Sequence, residues 1–458
     1  MGQAPSKGLK LGHNARVGVI GGGPAGSFFS YFFLEMAQRV GLEIALDIYE
    51  PRDFSVIGPG GCNMCGGIVS ETLVQSLSAE GIHLPDAAIR RSIDSYFLHM
   101  DVGDVRIETP LHEKRIAAVH RGGGPRGMKE PPSCSLDGSL LDMAVARGAH
   151  CIQGRVDGFC LEQGRPQIRT HEGAQQTYDL VVVAVGVNSP TLKLFSSAGL
   201  EYRPPRTTKT YICEFCMGRE TIKRDLGSSM HVFLLNIPRL EFAALIPKGE
   251  FVTLCMLGKE IDKELVQRFL DSEAVRQTMP ANWQIPDDFC HCSPKISVGS
   301  AWPPFGDRVV FVGDCGTTRL YKDGIGAAYR TAKAAAKTAV FHGISAEDFR
   351  RHYWPVCQAI QRDNLVGRFV FAVTRLIQNN RYARRALWRM VSKEQSREGQ
   401  HRSLSTVLWD TFTGSAPYRD VLFRTLRPSF VGKLFCNFVL AIRPQNGFHL
   451  KERVTWTL

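Results

Sequence analysis

The chain has 458 residues, 44% of them apolar, with 56 Lys and Arg against 44 Asp and Glu, a net charge of +12. That is too long for one ordinary core, so two or three globular domains are expected. The basic balance (pI about 9.1) favours anionic partners, and no uninterrupted apolar run reaches the ~18 residues of a spanning helix.

Met1 to Lys10 is polar and no apolar h-region follows, so no secretory signal is expected. The opening Met1-Gly-Gln-Ala-Pro-Ser6 fits the myristoylation pattern. Thirteen cysteines without a secretion signal point to a reducing, cytoplasmic setting.

Val17, Val19 and Ile20 read as a short buried strand. Gly21, Gly23 and Gly26 then occupy G-x-G-x-x-G, and a helix from Ala25 to Arg39 follows, with Phe28, Phe29, Phe32, Phe33 and Met36 to pack. Ile44 to Tyr49 is a second strand and Glu50 ends it. The glycines let bare backbone N–H groups meet a pyrophosphate at a helix N-terminus. Glu50 is placed to accept from ribose hydroxyls, and its charge repels a 2′-phosphate, so the expected dinucleotide is FAD or NAD.

Gly58-Pro-Gly-Gly-Cys-Asn-Met-Cys-Gly-Gly-Ile-Val-Ser70 is dense in glycine, as where a backbone closely approaches something flat or bulky. Cys62 and Cys65 fit three readings: a flavin-pocket wall, a redox disulfide, or half of a metal site completed by Cys213/Cys216 or Cys290/Cys292. Ile116 to His120 is strand-like, and Gly122 to Gly127 repeats the glycine spacing. The prolines at 131 and 132 forbid the helix a phosphate-binding turn needs, leaving a loop that carries Arg126 toward a ligand. Leu136 to Arg147 reads as a helix packing Leu140, Leu141, Ala144 and Val145, with Gly148 as its cap.

Tyr178 to Gly186 is another buried strand ending in glycine. From Glu201 to Ile296, short strands at 210–213, 232–235, 242–246 and 251–257 suggest an inserted antiparallel sheet that walls a substrate. Phe215, Phe233 and Phe242 are either core or the lining of an alkyl channel. Arg308 to Asp314 is a strand ending in Gly313-Asp314, and a helix runs from about Ile325 to Phe341. Asp314 suits a ribityl hydroxyl, and that helix N-terminus suits charge on a reduced flavin ring. Beyond Ala346 helices are expected, with Val373, Leu376, Ile377, Ala383, Leu387, Met390 and Val391 on one apolar spacing beside Arg381, Arg384, Arg385 and Arg389. Segments 421–426 and 430–442, flanked by Arg424, Arg427, Lys433 and Arg443, read either as basic amphipathic helices for an anionic bilayer or as a lid. No nucleic-acid reading module is present in the sequence.

With these pieces placed, the chain resembles the FAD-dependent oxidoreductases of the p-hydroxybenzoate hydroxylase type, and within them the geranylgeranyl reductase family. Four stretches carry the resemblance: Gly21, Gly23, Gly26 and Glu50; Cys65-Gly-Gly-Ile68; Pro238 to Gly249 with its Pro-Lys-Gly end; and Gly313-Asp314 with Gly324-Ile-Gly326. It spans about residues 14 to 345. Two departures stand out. Val185 precedes Gly186 where the family usually has an acid, and Arg319-Leu-Tyr-Lys322 fills a span that usually holds proline.

The resemblance implies an α/β fold: a Rossmann-type FAD-binding domain (14–200 and 297–345), an inserted antiparallel-sheet substrate domain (201–296) and a C-terminal helical region (346–458). It implies FAD as cofactor, held by Gly21, Gly23, Ala25, Gly26, Glu50, Arg126, Gly186, Gly313, Asp314, Gly324, Ile325 and Gly326. Cys65, Tyr321 and Lys322 are the expected catalytic positions, and no metal is expected. The implied reaction is reduction of a carbon–carbon double bond of an isoprenoid or lipid-like substrate. The alternatives are a monooxygenase and a dehydrogenase passing electrons to a quinone or protein. Expected partners are a hydrophobic small molecule, NAD(P)H or ferredoxin as electron donor, and an anionic membrane surface. The expected location is cytoplasmic, peripheral on that surface.

Overall fold

The computed structural model describes residues 9–62, 65–109, 116–129, 134–281, 283–286, 289–396 and 402–442. The first sheet has the strand order Phe305–Gly306, Val309–Phe311, Leu180–Val183, Ala15–Ile20, Ile44–Tyr49, His150–Ile152. Every pairing is parallel except that of the Phe305–Gly306 edge. A parallel sheet is covered on both faces, which is why its central strands read as apolar runs. Helices Pro24–Arg39 and Gly324–Phe341 lie together over one face. There the small Ala332, Ala335 and Ala336 make room for Phe28, Phe29, Phe32 and Phe33. Each phenylalanine so buried contributes roughly 2–3 kcal/mol of transfer free energy. The first β–α–β unit thus has the bounds its sequence suggests, to within two residues.

The second sheet runs Cys290–Cys292, Thr207–Cys216, Phe251–Gly258, Leu240–Lys248, Ser229–Phe233, Ser95–Met100, Gly103–Glu108, with Lys295–Ser297 also paired to Thr207–Cys216. It is antiparallel apart from Ser229–Phe233 on Ser95–Met100. Two of its strands therefore come from residues 95–108, ahead of the 201–296 segment. Side chains alternate across it. Phe215, Phe233, Leu245 and Leu254 face a core closed by helix Lys263–Leu270. Met230, Phe242, Ala244 and Ile246 face the C-terminal helices.

Those helices are Trp354–Asn379, Arg381–Gln395, Ser403–Thr413, Tyr418–Thr425 and Pro428–Ile442. The apolar spacing expected from 373 to 391 does not hold as one face. Leu387, Met390 and Val391 are buried, but Leu376 is 69% exposed and Val373 is exposed too. The reason is a break at Asn380, whose Oδ1 accepts from Ala383 N at 3.0 Å and caps a new helix in a new phase. Arg384 leaves the basic cluster as well: it is buried, held by Asp101 Oδ2 at 2.7 Å and by the Gln378 carbonyl. Val145, expected to pack, is exposed on helix Leu136–Ala146.

Candidate functional site

A cavity of about 550 Å³ is lined by both sheets, the Gly-Asp turn and the C-terminal helices. One end is the first β–α turn. Gly21 has φ +106°, and a Cβ there would meet the Ala184 carbonyl oxygen at 2.8 Å. Gly23 is open: the nearest atoms to a Cβ are Arg121 Nη2 and Asp137 Oδ2 at 3.9 Å. Its bare backbone, with Pro24 and Ala25, lines the cavity at the start of a sixteen-residue helix. Gly26 does not line it; a Cβ there would lie 1.8 Å from the Gly21 carbonyl oxygen, so this glycine lets the helix close onto the turn.

Glu50 also lines the cavity. Its two oxygens accept from Gly22 N at 2.8 Å and Arg52 N at 3.0 Å, which fixes the carboxylate beside the turn with lone pairs to spare. Burial raises its pKa, opposed by those backbone hydrogen bonds. At the other end Asp314, Gly324 and Ile325 line the cavity, and Gly186 joins them from the strand between. Desolvation raises the Asp314 pKa, against Thr318 and Arg121. Gly313 and Gly326 serve packing: a Cβ on Gly313 would lie 2.7 Å from Ala25 Cβ, and one on Gly326 2.2 Å from Asp323 Oδ1. Gly313 thus locks the late turn against the early one.

The donor set fits a flavin dinucleotide. An open glycine at a helix N-terminus suits a pyrophosphate, the strand-end acid suits a ribose, and an aspartate before a second helix N-terminus suits the ring end. All of them open into one continuous cavity.

Arg126 is exposed and does not line the cavity. Arg121 does, bound bidentate to the fully buried Asp137 at 2.9 and 2.7 Å. Sequence reasoning passed over Arg121. Its signal was an arginine two residues beyond the strand Ile116–Val119, with an acid in the first turn of the next helix. Much of the glycine density at 58–61 and 122–124 has a plain cause too. The two loops pack on each other, with a Cβ on Gly122 falling 1.8 Å from the Gly61 carbonyl oxygen and one on Gly123 2.3 Å from that of Val56.

Cys65, Tyr321 and Lys322 all line the cavity. Of the three phenylalanines only Phe242 does; Phe215 and Phe233 lie across the sheet in the other core. The Lys322 Nζ sits 4.2 Å from the centre of the Phe242 ring, and desolvation lowers its pKa to about 8. Tyr321 (φ +61°) and Asp323 (φ +56°) hold left-handed backbone on either side of it. That loop is clamped from behind: Arg319 donates to the carbonyls of Gly414 (2.6 Å) and Ala416, and the Tyr418 hydroxyl donates to Leu320 O at 2.5 Å. Phe412 and Thr413 complete the wall, so the C-terminal region builds the cavity.

A second space of about 40 Å³ is lined by Cys62, Cys65, His120, Glu214, Lys248, Cys290 and Cys292. Lys248 and Glu214 pair across it at 3.1 Å. Cys62 and Cys65 are not joined in a disulfide, and burial pushes the Cys292 thiol up to about 12. Among the described residues no group of three or more His, Cys, Asp or Glu is arranged to hold a metal.

No protein-family model and no curated protein matches the chain. Solved structures do. A flavoprotein/dehydrogenase from Cytophaga hutchinsonii is 14% identical with a TM-score of 0.57, over 93% of this chain and 98% of that one. A mutant of halogenase PltM in complex with FAD is 12% identical with a TM-score of 0.58, over 94% and 91%. The peptidyl tryptophan dihydroxylase QhpG is 16% identical with a TM-score of 0.54, over 79% and 75%. At these identities the likeness is one of fold: the chain has the Rossmann-type α/β architecture of FAD-dependent flavoproteins.

Proposed function

We propose that the protein is an FAD-dependent oxidoreductase acting on an apolar small molecule. The observation that carries this is the single cavity joining a dinucleotide-binding turn to an apolar wall made of Met230, Phe242, Ala244, Ile246, Leu257 and Phe412. The cofactor supplies two-electron chemistry when bound. The chain's part is to hold the substrate beside Cys65 and Lys322 and to exclude water with the sheet and the C-terminal helices.

Within that class our first reading is reduction of a carbon–carbon double bond in a lipid-like substrate, with NAD(P)H or ferredoxin as electron donor. It rests on the Cys65-Gly-Gly-Ile68 loop, which reaches the cavity. A second reading, oxygen insertion, is favoured by a dihydroxylase among the proteins of similar fold. Anaerobic mixing with NADH, NADPH and reduced ferredoxin, followed near the flavin band, identifies the donor. Bleaching followed by stoichiometric oxygen uptake and an oxygenated product selects oxygen insertion; turnover without oxygen selects reduction. A flavin band that resists all three donors contradicts the proposal.

We infer, too, that the protein works at an anionic bilayer surface. Helices Tyr418–Thr425 and Pro428–Ile442 meet at 68° and expose Phe423, Leu426, Val431, Phe435, Val439 and Ile442. Exposed Arg419, Arg427 and Lys433 accompany them. Scattered apolar residues need no account, but a run of this kind beside basic charge matches an interfacial helix. Among the described residues no single helix is long and apolar enough to cross a membrane.

A further inference from the structure

We propose that the cavity takes an apolar molecule carrying one acidic group, and that the Lys322 ammonium receives that group. The proposal rests on the reading of the cavity as a substrate site and names the class of substrate.

Among the described residues the cationic side chains lining the cavity are Arg52, Arg121, Arg155, Lys295, Arg319 and Lys322. Arg155 and Lys295 are exposed to water, and Arg52 lies at the nucleotide end beside Glu50. Arg121 is matched by Asp137, and Arg319 by the carbonyls of Gly414 and Ala416. Lys322 differs. Among the described residues its Nζ makes no hydrogen bond or ion pair; its contact is the Phe242 ring. Asp323, next in the chain, is taken by Arg330 at 3.3 Å and Arg319 at 3.6 Å.

A cation among apolar groups without a counter-charge is unfavourable, and a ring face offsets only part of that. The loop nevertheless holds Lys322 there with two left-handed residues and with two clamps from the segment 414–418. Strain so over-determined is the mark of a positioned functional group. The missing partner is then an anion that arrives with the ligand, while Phe242, Phe412, Met230 and Ile246 take its apolar body.

The groups facing Lys322 set its pH range. They are Cys255 from the neighbouring strand, with its thiol pushed up to about 12 by burial, Tyr321, raised to about 12, and the paired Arg319 and Asp323. Neither of the first two ionises below pH 9. Because the Lys322 pKa is lowered to about 8, the ammonium is present below that pH and lost above it. Anion affinity should fall as pH rises from 7 to 9.

The test is equilibrium dialysis of the FAD-loaded protein with dodecanoate and with dodecan-1-ol at pH 7 and pH 9, with flavin content read from absorbance. We expect dodecanoate to bind at least tenfold more tightly than the alcohol at pH 7, with the preference shrinking at pH 9. Lys322→Met should keep its flavin and lose the preference, and Lys322→Arg should keep both. Equal affinity for acid and alcohol, no dodecanoate binding, or an undiminished preference in Lys322→Met overturns the proposal. So does loss of flavin from Lys322→Met, which would assign the ammonium to the cofactor. A wild-type protein that never carries flavin but retains the Lys322-dependent acid preference contradicts the proposed function and leaves this inference standing.

Discussion

Gly23 and Gly26 stand three residues apart and are glycine for opposite reasons. A methyl on Gly23 meets nothing closer than 3.9 Å, whereas one on Gly26 lands 1.8 Å from the Gly21 carbonyl oxygen. Gly23→Val should therefore leave the melting temperature within a few degrees and abolish flavin retention, because the added atoms fill the space for a pyrophosphate. Gly26→Ala should lower stability by about 2–4 kcal/mol or prevent soluble expression. Thermal melts paired with flavin content check both; equal flavin content in wild type and Gly23→Val contradicts the assigned pyrophosphate position. A second residue-scale effect concerns pH. Burial, and then the neighbouring His99, push His231 down to about 3, and the two rings bond at 2.9 Å between Nε2 of His99 and Nδ1 of His231. The folded state holds His231 neutral while the unfolded chain protonates it near 6.5. Stability from this group is complete above pH 6.5 and declines as pH falls toward 3. The slope of stability against pH over that window should be shallower in His231→Phe than in wild type, measured by denaturant melts.

At the scale of elements, the loop 319–323 is positioned by a helix-end segment almost a hundred residues later. Arg319→Ala would leave the Gly414 and Ala416 carbonyls unmatched in a buried site, a loss of about 2–4 kcal/mol. The expected outcome is a lower melting temperature and, in the folded fraction, dodecanoate affinity reduced toward that of Lys322→Met. Unchanged affinity would separate the clamp from the lysine. This scale also marks where the sequence was readable. The first β–α–β unit is local: its glycines, helix and strand-end acid lie within residues 15–50, and their spacing carries the geometry. The register of the second sheet is not local. Nothing in Ser95–Met100 announces a parallel partner at Ser229–Phe233, and period-two alternation alone does not say whether Phe233 or Phe242 faces the cavity. The phase reset at Asn380 was hidden because an asparagine inside an arginine-rich apolar stretch reads equally as surface or as cap.

For the whole molecule, the cavity joins chain segments that are far apart: Gly23 and Glu50, Cys65, Gly186, the strands at 230 and 242–257, Asp314 to Ile325, and Phe412. The two ends of the dinucleotide site were legible as separate motifs. Their closure through Gly313 on Ala25, the contribution of Arg121 in place of Arg126, and the wall from the C-terminal helices were not, since each depends on contacts between distant segments. The exposed apolar run on the last two helices makes a prediction at this scale. The protein should float with vesicles containing anionic phosphatidylglycerol and much less with neutral phosphatidylcholine, and Phe423→Glu with Phe435→Glu should release it. Flotation independent of vesicle charge, or retained by the double variant, contradicts the bilayer surface.

All of these predictions presuppose one cofactor bridging the early and late turns. Acid denaturation of the purified native protein, with chromatography and mass measurement of the supernatant, tests that most directly. The expected result is intact FAD at about one per chain, absent from Gly23→Val prepared in parallel. A supernatant free of flavin, or one containing only a mononucleotide flavin, contradicts the account.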